Sequence, residues 1–333
     1  MKTILVTGIA GLIGSRFSKW VLENTDYHVV GIDDLSGGYI ENVDDRSTFY
    51  NIDLSTSQRE IYEIFEKHRI EIIYHFAAYA AEGLSPFIRK FNYENNLISS
   101  TNLINAAIKY GTRRFVFTSS MAVYGDKNQA PFSENLTPSP IDPYGIAKYA
   151  VELDLKCAHE QHGLEYTIVR PHNVYGIGQN IWDKYRNVLG IWMYQLMNDI
   201  QPSIFGDGLQ KRSFSYIDDS LRPLWTASQN DKCVGEIINL GGIKETSIIE
   251  AYQVLAKVTK TNVQPKFLEP RHEAKYAWST WEKSKELLDF EHKIDLEEGL
   301  TKMWDWAREQ PMKTRRVWEK YEIENGLYEY WKK

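Results

Sequence analysis

Cysteine is nearly absent: the 333 residues hold only Cys157 and Cys233. Two thiols cannot build a disulfide framework and their spacing fits no metal motif, so both read as small buried residues in a reducing compartment. Long apolar runs are also missing. The segment Met1–Gly8 starts as a signal peptide would, but its apolar run is short and breaks at once into glycines. Nothing approaches the ~20 residues needed to span a bilayer. The formal net charge of −6 lacks the basic excess of a nucleic-acid surface, while leaving room for a local pocket that takes one diphosphate. Repeats, low-complexity tracts and free linkers are absent too. The expectation is a cytoplasmic protein with no membrane segment, no nucleic-acid partner and no metal.

What is present is a 43% hydrophobic, 25% charged chain long enough for two packed lobes. Its first half alternates short β-branched runs with amphipathic stretches, the pattern of βαβ units. Strands are expected at Thr3–Thr7, His28–Ile32, Ile72–Phe76, Phe115–Thr118 and Tyr166–Val169. Helices are expected at Ile13–Glu23, Arg59–His68, Asn96–Lys109 and Ala147–Gln161. The continuous apolar strands suit a doubly wound parallel sheet of the α/β class, with a ligand crevice at the strands' carboxyl ends. After about Tyr175 aromatics become dense and the alternation weakens. The division expected is therefore a dinucleotide-binding Rossmann domain over residues 1–175. A smaller, mainly helical substrate lobe follows over 176–333, with some of its segments returning to the first domain.

Each motif falls just after a strand. Gly8-Ile9-Ala10-Gly11-Leu12-Ile13-Gly14 follows the first strand and opens a helix, where a glycine turn and a helix N-terminus can cradle a pyrophosphate. The second strand ends at Asp33, placed to accept hydrogen bonds from ribose hydroxyls and to repel a 2′-phosphate, which favours NAD over NADP. Its neighbour Asp34 reads as a turn residue. Ala77 and Ala78 either let a cofactor lie against the backbone or simply pack. Asp53 either bonds the adenine amino group or caps a helix beside Ser55 and Ser57. Thr118-Ser119-Ser120 is followed downstream by Tyr144 and Lys148, four apart and so on one helical face. A free tyrosine, with a pKa of about 10, is a poor base. A lysine one turn away, with a cationic nicotinamide, stabilises the phenolate, and a serine hydroxyl completes a proton relay.

With these motifs the chain resembles the extended short-chain dehydrogenase/reductases, in particular the nucleotide-sugar epimerase/dehydratase branch. The likeness runs through His75-Phe76-Ala77-Ala78, Asn95-Asn96, Arg170–Gly176, Ile204–Gly208, Arg212 and Pro270-Arg271. It implies Ser120, Tyr144 and Lys148 as the catalytic set. It implies NAD contacts from Gly8, Gly11, Leu12, Ile13 and Gly14, and from Asp33, Asp34, Leu35, Ser36, Gly37 and Gly38. Asp53, Leu54, Phe76, Ala77, Ala78, Ala80, Asn95, Ser119, Pro171 and His172 join them, with Tyr144 and Lys148. Asn173, Asn187, Phe205, Arg212 and Arg271 would hold a nucleotide diphosphate, the arginines through their forks. Arg212 and Arg271 equally read as surface charges, and Phe205 as packing.

The resemblance further implies a reaction. Tyr144 takes the proton of a sugar C4 hydroxyl while C4 passes hydride to NAD. The 4-keto sugar then turns over, and hydride returns to its other face. Dehydratases of the branch carry an Asp–Glu pair where this chain has Met121 and Ala122, which transfer no proton. UDP-galactose-type epimerases of bacteria carry a lysine at Ala80 and an aromatic at His172. The position limiting sugar size falls on Trp278 or Ser279, so uronate or N-acetyl sugars stay open alongside a UDP-hexose. A net oxidoreductase releasing NADH and a silent NAD-sensing regulator are the rival classes. A homodimer through Asn96–Lys109 and Ala147–Gln161 is also implied.

Overall fold

The structure is a computed structural model that describes residues 2–332. Its centre is a seven-stranded sheet. The strands are β1 (Thr3–Thr7), β2 (His28–Asp33), β3 (Thr48–Asn51), β4 (Ile72–His75), β5 (Arg114–Thr118), β6 (Glu165–Pro171) and β7 (Ile237–Leu240). They run in the order β7-β6-β5-β4-β1-β2-β3 with every pairing parallel. The chain winds one way from β1 to β3 and the other way from β4 onward. The switch point, where such sheets bind ligands, therefore lies between β1 and β4.

Alternate residues of each strand feed two cores, as the two-residue period of a strand requires. Ile4, Val6, Val29, Ile72, Tyr74, Val116 and Val169 face one side, where Phe17 and Val21 of helix α1 (Leu12–Asn24) pack. Leu5, Val30, Ile32, Ile73, Phe115, Phe117 and Ile168 face the other. There they meet Ile61 and Phe65 of α2 (Gln58–His68), Leu103 and Ala107 of α3 (Ser99–Lys109), and Val151 and Leu155 of α4 (Pro143–His162). This is the expected doubly wound α/β fold.

Several elements differ from the sequence reading. Strand β3 is a half-buried edge whose polar residues hide its pattern. Strand β7 comes from the second half of the chain and pairs with β6. A helix over Ile217–Gln229 precedes it and packs Leu221 and Leu224 into the α1-side core, which Arg16 reinforces through a 2.7 Å ion pair to Asp218. Segments of the second half thus complete the first lobe. A π-helical turn over Glu94–Ile98 precedes α3. Helix α4 starts at Pro143, not Ala147, because Asp142 caps it by accepting from the Gly145 N–H at 2.9 Å. Cys233 is buried as expected, whereas Cys157 is exposed, on α4. Among the described residues no helix is long and apolar enough to cross a membrane, and no three acid, His or Cys side chains gather as a metal site.

The segment after Glu309 wraps back onto residues of the first half of the chain as well as Tyr185. Leu327 and Trp331 pack with Tyr79, Leu84, Phe87 and Tyr185. The Glu322 carboxylate accepts from the Lys90 and Phe91 N–H groups at 2.7 and 2.9 Å, and the Trp318 indole donates to the Tyr79 hydroxyl at 3.1 Å.

Candidate active site

The glycine turn is built for close backbone approach. Gly8 has φ +69°, and its N–H donates to the Ile32 carbonyl at 2.8 Å, tying the turn to the end of β2. A Cβ on Gly14 would lie 2.1 Å from the Gly8 carbonyl oxygen, so only glycine lets α1 start so near β1. At the end of β2 the buried Asp33 carboxylate accepts from the Ala10 N–H at 3.0 Å and the Leu35 N–H at 2.8 Å. Burial pushes this carboxyl up, and those two bonds draw it back.

A cleft of about 1730 Å³, counting space open to solvent, runs from this turn past the ends of β4 and β5. Of the expected cofactor residues it is lined by Gly8, Gly11, Leu12, Ile13, Gly14, Asp33, Asp34, Ser36, Gly37, Gly38, Asp53, Leu54, Phe76, Ala77, Ala78, Ala80, Asn95, Ser119 and Pro171. Ser120, Tyr144, Lys148, Asn173 and Asn187 line it as well. Asp53 caps the following turn, accepting from the Ser55 N–H at 2.8 Å, and also faces the cleft, so its two readings are compatible.

Tyr144 and Lys148 sit one turn apart at the start of α4. The Ser85 hydroxyl accepts from the Tyr144 N–H at 3.2 Å and bonds Asp142 at 3.3 Å, fixing the entry of the helix. Lys148 is buried, donates to the Thr118 carbonyl at 2.8 Å, and holds its ammonium 5.9 Å from the Tyr144 ring centre. Ser119 and Ser120 part company here. The Ser119 hydroxyl bonds Glu152, which in turn forms a buried ion pair with Arg170. Ser120 caps the turn Met121–Tyr124, and its hydroxyl eases ionisation of Tyr144.

Burial dominates the protonation of this pair. Burial, above all, raises the Tyr144 hydroxyl, with Glu82 and Asp142 adding to it against the easing effects of Ser120 and Arg186. Burial lowers Lys148 to about 7, opposed by Glu152. Low solvation pushes both toward their neutral forms.

A family model described as "NAD dependent epimerase/dehydratase family" matches residues 4–241. The chain belongs to that family. It is 32% identical over 306 residues to a putative UDP-glucose 4-epimerase of Methanocaldococcus jannaschii, covering 92% of this chain and 98% of that one. Among solved structures it is similar to a UDP-glucose 4-epimerase of Thermotoga maritima with UDP-glucose, at 33% identity and a TM-score of 0.87, covering 92% and 98% of the two chains. It is also similar to a UDP-glucuronic acid 4-epimerase of Bacillus cereus in complex with UDP-glucuronic acid and NAD, at 30% identity and a TM-score of 0.84, covering 92% and 99%.

The cleft of this family member suits NAD. The glycine turn leaves the backbone bare for a pyrophosphate, and a Cβ on Gly38 would strike Ala10 at 2.4 Å, so the loop after β2 folds down tightly beside it. Asp33, at the end of β2, presents its carboxylate to the same cleft.

Other expected residues do not line the cleft. Leu35 has φ +58° and serves the turn with its backbone. The buried His172 ring bridges Ser213 at 2.9 Å and Ser279 at 2.5 Å, and burial lowers it to about 3, so it is a neutral structural tie. Ser279 is spent on that tie, and neither it nor Trp278 lines the cleft. Phe205 packs against Tyr328 and Trp331 under the Arg271 guanidinium, 4.4 Å from its ring centre. Arg212 and Arg271 share the Glu273 carboxylate at 3.1 and 3.2 Å, and their charges act on Glu82, which does line the cleft.

Sequence reasoning missed Tyr39, Glu82, Gln179, Asn180 and Arg186 among the lining residues. It also missed the role of His75, which bonds Thr7 at 2.7 Å while the Thr7 hydroxyl accepts from the Ala77 N–H at 3.2 Å. That pair sets the backbone beneath the cleft. A glutamate and an arginine outside any strand-end motif carry no signal of their own.

Proposed function

We propose that this protein is an NAD-dependent 4-epimerase of a nucleotide-activated hexose, of the UDP-glucose/UDP-galactose type. The observation that carries this reading is Tyr144 and Lys148 on one buried helical turn, opening into the cleft that the glycine turn and Asp33 begin.

Tyr144 and Ser120 stand together at the cleft wall, so a sugar C4 hydroxyl reaching them meets a proton acceptor and a relay hydroxyl. Lys148 is anchored by Thr118 and supplies or withdraws positive charge near neutral pH. NAD, when bound, supplies a reversible two-electron acceptor and, in its oxidised form, a positive charge to the cleft. The Met121–Tyr124 turn after Ser120 brings no carboxyl group, which disfavours elimination of water from the sugar.

Tyr144→Phe should lower turnover by about 10²–10⁴-fold, the range for a lost general base, while cofactor binding persists. Near-normal turnover of UDP-glucose or UDP-galactose by the variant would refute the assignment. Stoichiometric NADH build-up during turnover would point instead to a net oxidoreductase. The homodimer is proposed through α3 and α4, where Ile98, Ile146 and Leu153 are exposed; a monomeric mass in solution would exclude it.

A further inference from the structure

Asp33, Asp34, Asp53 and Glu82 line the cleft, whereas Lys148 and Arg186 are its only lining cations among the described residues. A diphosphate entering so acidic a channel needs a cation nearby. Lys148 is held at the Tyr144 end by the Thr118 carbonyl. Arg186 is placed differently. Its Nε donates to the fully buried Asp183 carboxylate at 3.0 Å, and its Nη2 makes a long 3.4 Å bond to the Gly37 carbonyl. The guanidinium carbon stands 4.8 Å from the centre of the Tyr79 ring. Nη1 has no hydrogen-bond partner among the described residues.

Gly37 explains how the arginine gets there. A Cβ at Gly37 would lie 2.5 Å from Arg186 Nη2, so the loop after β2 is bare of side chain where the guanidinium crosses it. Asp183 also accepts from the Tyr185 N–H at 2.8 Å and the Tyr79 hydroxyl at 3.4 Å, which locks the carboxylate that aims the fork. A residue of the second half of the chain is thereby held rigidly over the cofactor loop of the first. Its charge is felt both at Asp33 and at Tyr144.

We propose that Arg186, aimed by Asp183, is the guanidinium that clamps the diphosphate of the bound dinucleotide. The role rests on the cofactor reading above and deepens it. A planar fork whose Nε is tied to a carboxylate, whose Nη2 makes only a long bond and whose Nη1 is unpaired suits phosphate oxygens.

The test is calorimetric titration of the full-length protein, freed of co-purified cofactor, with NAD, ADP and adenosine. Arg186→Gln should weaken NAD and ADP by about tenfold to a hundredfold, the loss of one or two charge-assisted hydrogen bonds. Adenosine should bind within about twofold of wild type, since it lacks phosphate. Arg186→Lys, which keeps the charge and loses the fork, should fall between, and it carries the test alone if Arg186→Gln does not fold. Equal weakening of adenosine and ADP would overturn the proposal, because it would show only a disturbed Gly37 loop. So would unchanged ADP affinity in both variants. Wild-type protein that binds neither NAD nor ADP would overturn the dinucleotide reading itself and the clamp with it. Tight NAD binding with no effect of Arg186 would overturn the clamp alone.

Discussion

Exchanging Lys148 for methionine should make the cofactor-free protein more stable, by an amount set by where the ammonium sits. Lys148 is 2% exposed, and burial lowers it from its ordinary 10.5 to about 7. That difference, about 3.5 pKa units at ~1.36 kcal/mol each, is a ceiling of about 5 kcal/mol for holding the charged form below pH 7. The methionine loses the bond to the Thr118 carbonyl, worth about 1 kcal/mol net and up to about 3 if that oxygen stays dry. The expected net gain at pH 6 is therefore about 2–4 kcal/mol. The sign of the pH dependence follows from proton counting. Between about 7 and 10.5 the unfolded chain holds a proton that folded Lys148 has released, so wild-type stability rises with pH across that window. The methionine variant lacks this dependence, so its advantage should shrink by about 3 kcal/mol between pH 7 and pH 9. Urea unfolding of both proteins at pH 6 to 9 measures the gap directly. A wild type at least as stable as Lys148→Met at pH 6, or a gap that ignores pH, would refute the argument that solvation controls this group.

Two other substitutions probe the frame around the cleft. Gly14→Ala would force a Cβ to within 2.1 Å of the Gly8 carbonyl; it should cost about 1–3 kcal/mol and reduce NAD affinity more than adenosine affinity, read by thermal melts and titration. Glu152→Gln should destabilise by about 3–5 kcal/mol, since it leaves the 1%-exposed Arg170 guanidinium without its carboxylate; a change under about 1 kcal/mol in chemical denaturation would show that water reaches Arg170.

The sheet was legible where strands are buried on both faces. β1, β2, β4, β5 and β6 are continuous apolar runs, and each ends on a motif that the chemistry needs. β3 is an edge strand of half-buried Thr48, Phe49 and Tyr50, which needs no apolar run. β7 was missed for another reason. Its Ile237–Leu240 run looks like any short buried strand, and only its pairing with β6 in the folded protein assigns it to the central sheet. At the site, motif residues adjoining strand ends reached the cleft almost without exception, because strand ends are placed by the sheet. His172 shows the limit of that rule. One residue beyond β6, its ring turns to Ser213 and Ser279 and away from the cleft. Glu82 and Arg186 show the converse, since loops carry them in from positions with no periodic pattern to read.

Charge at the site is governed by burial. The sequence places Lys148 one turn from Tyr144 and reads the phenolate as stabilised by that lysine together with a cationic nicotinamide. The structure shows a site in which burial raises the tyrosine, draws the lysine down to about 7, and pushes Asp142 up to about 7 as well, with Glu82 adding to the last. Every one of these groups is driven toward its neutral form by the same scarcity of water. Glu82 and Asp142 make a phenolate at Tyr144 harder still, and no cation beside it is strong enough to reverse the balance. A positive charge brought into the cleft changes the sign of the local field, favours the phenolate, and costs the protein no reorganisation if Thr118, Ser120 and Ser85 already hold their partners. Burial favours the neutral Tyr144 hydroxyl, so on the proposed reading the positive charge of oxidised NAD is what shifts Tyr144 toward the phenolate.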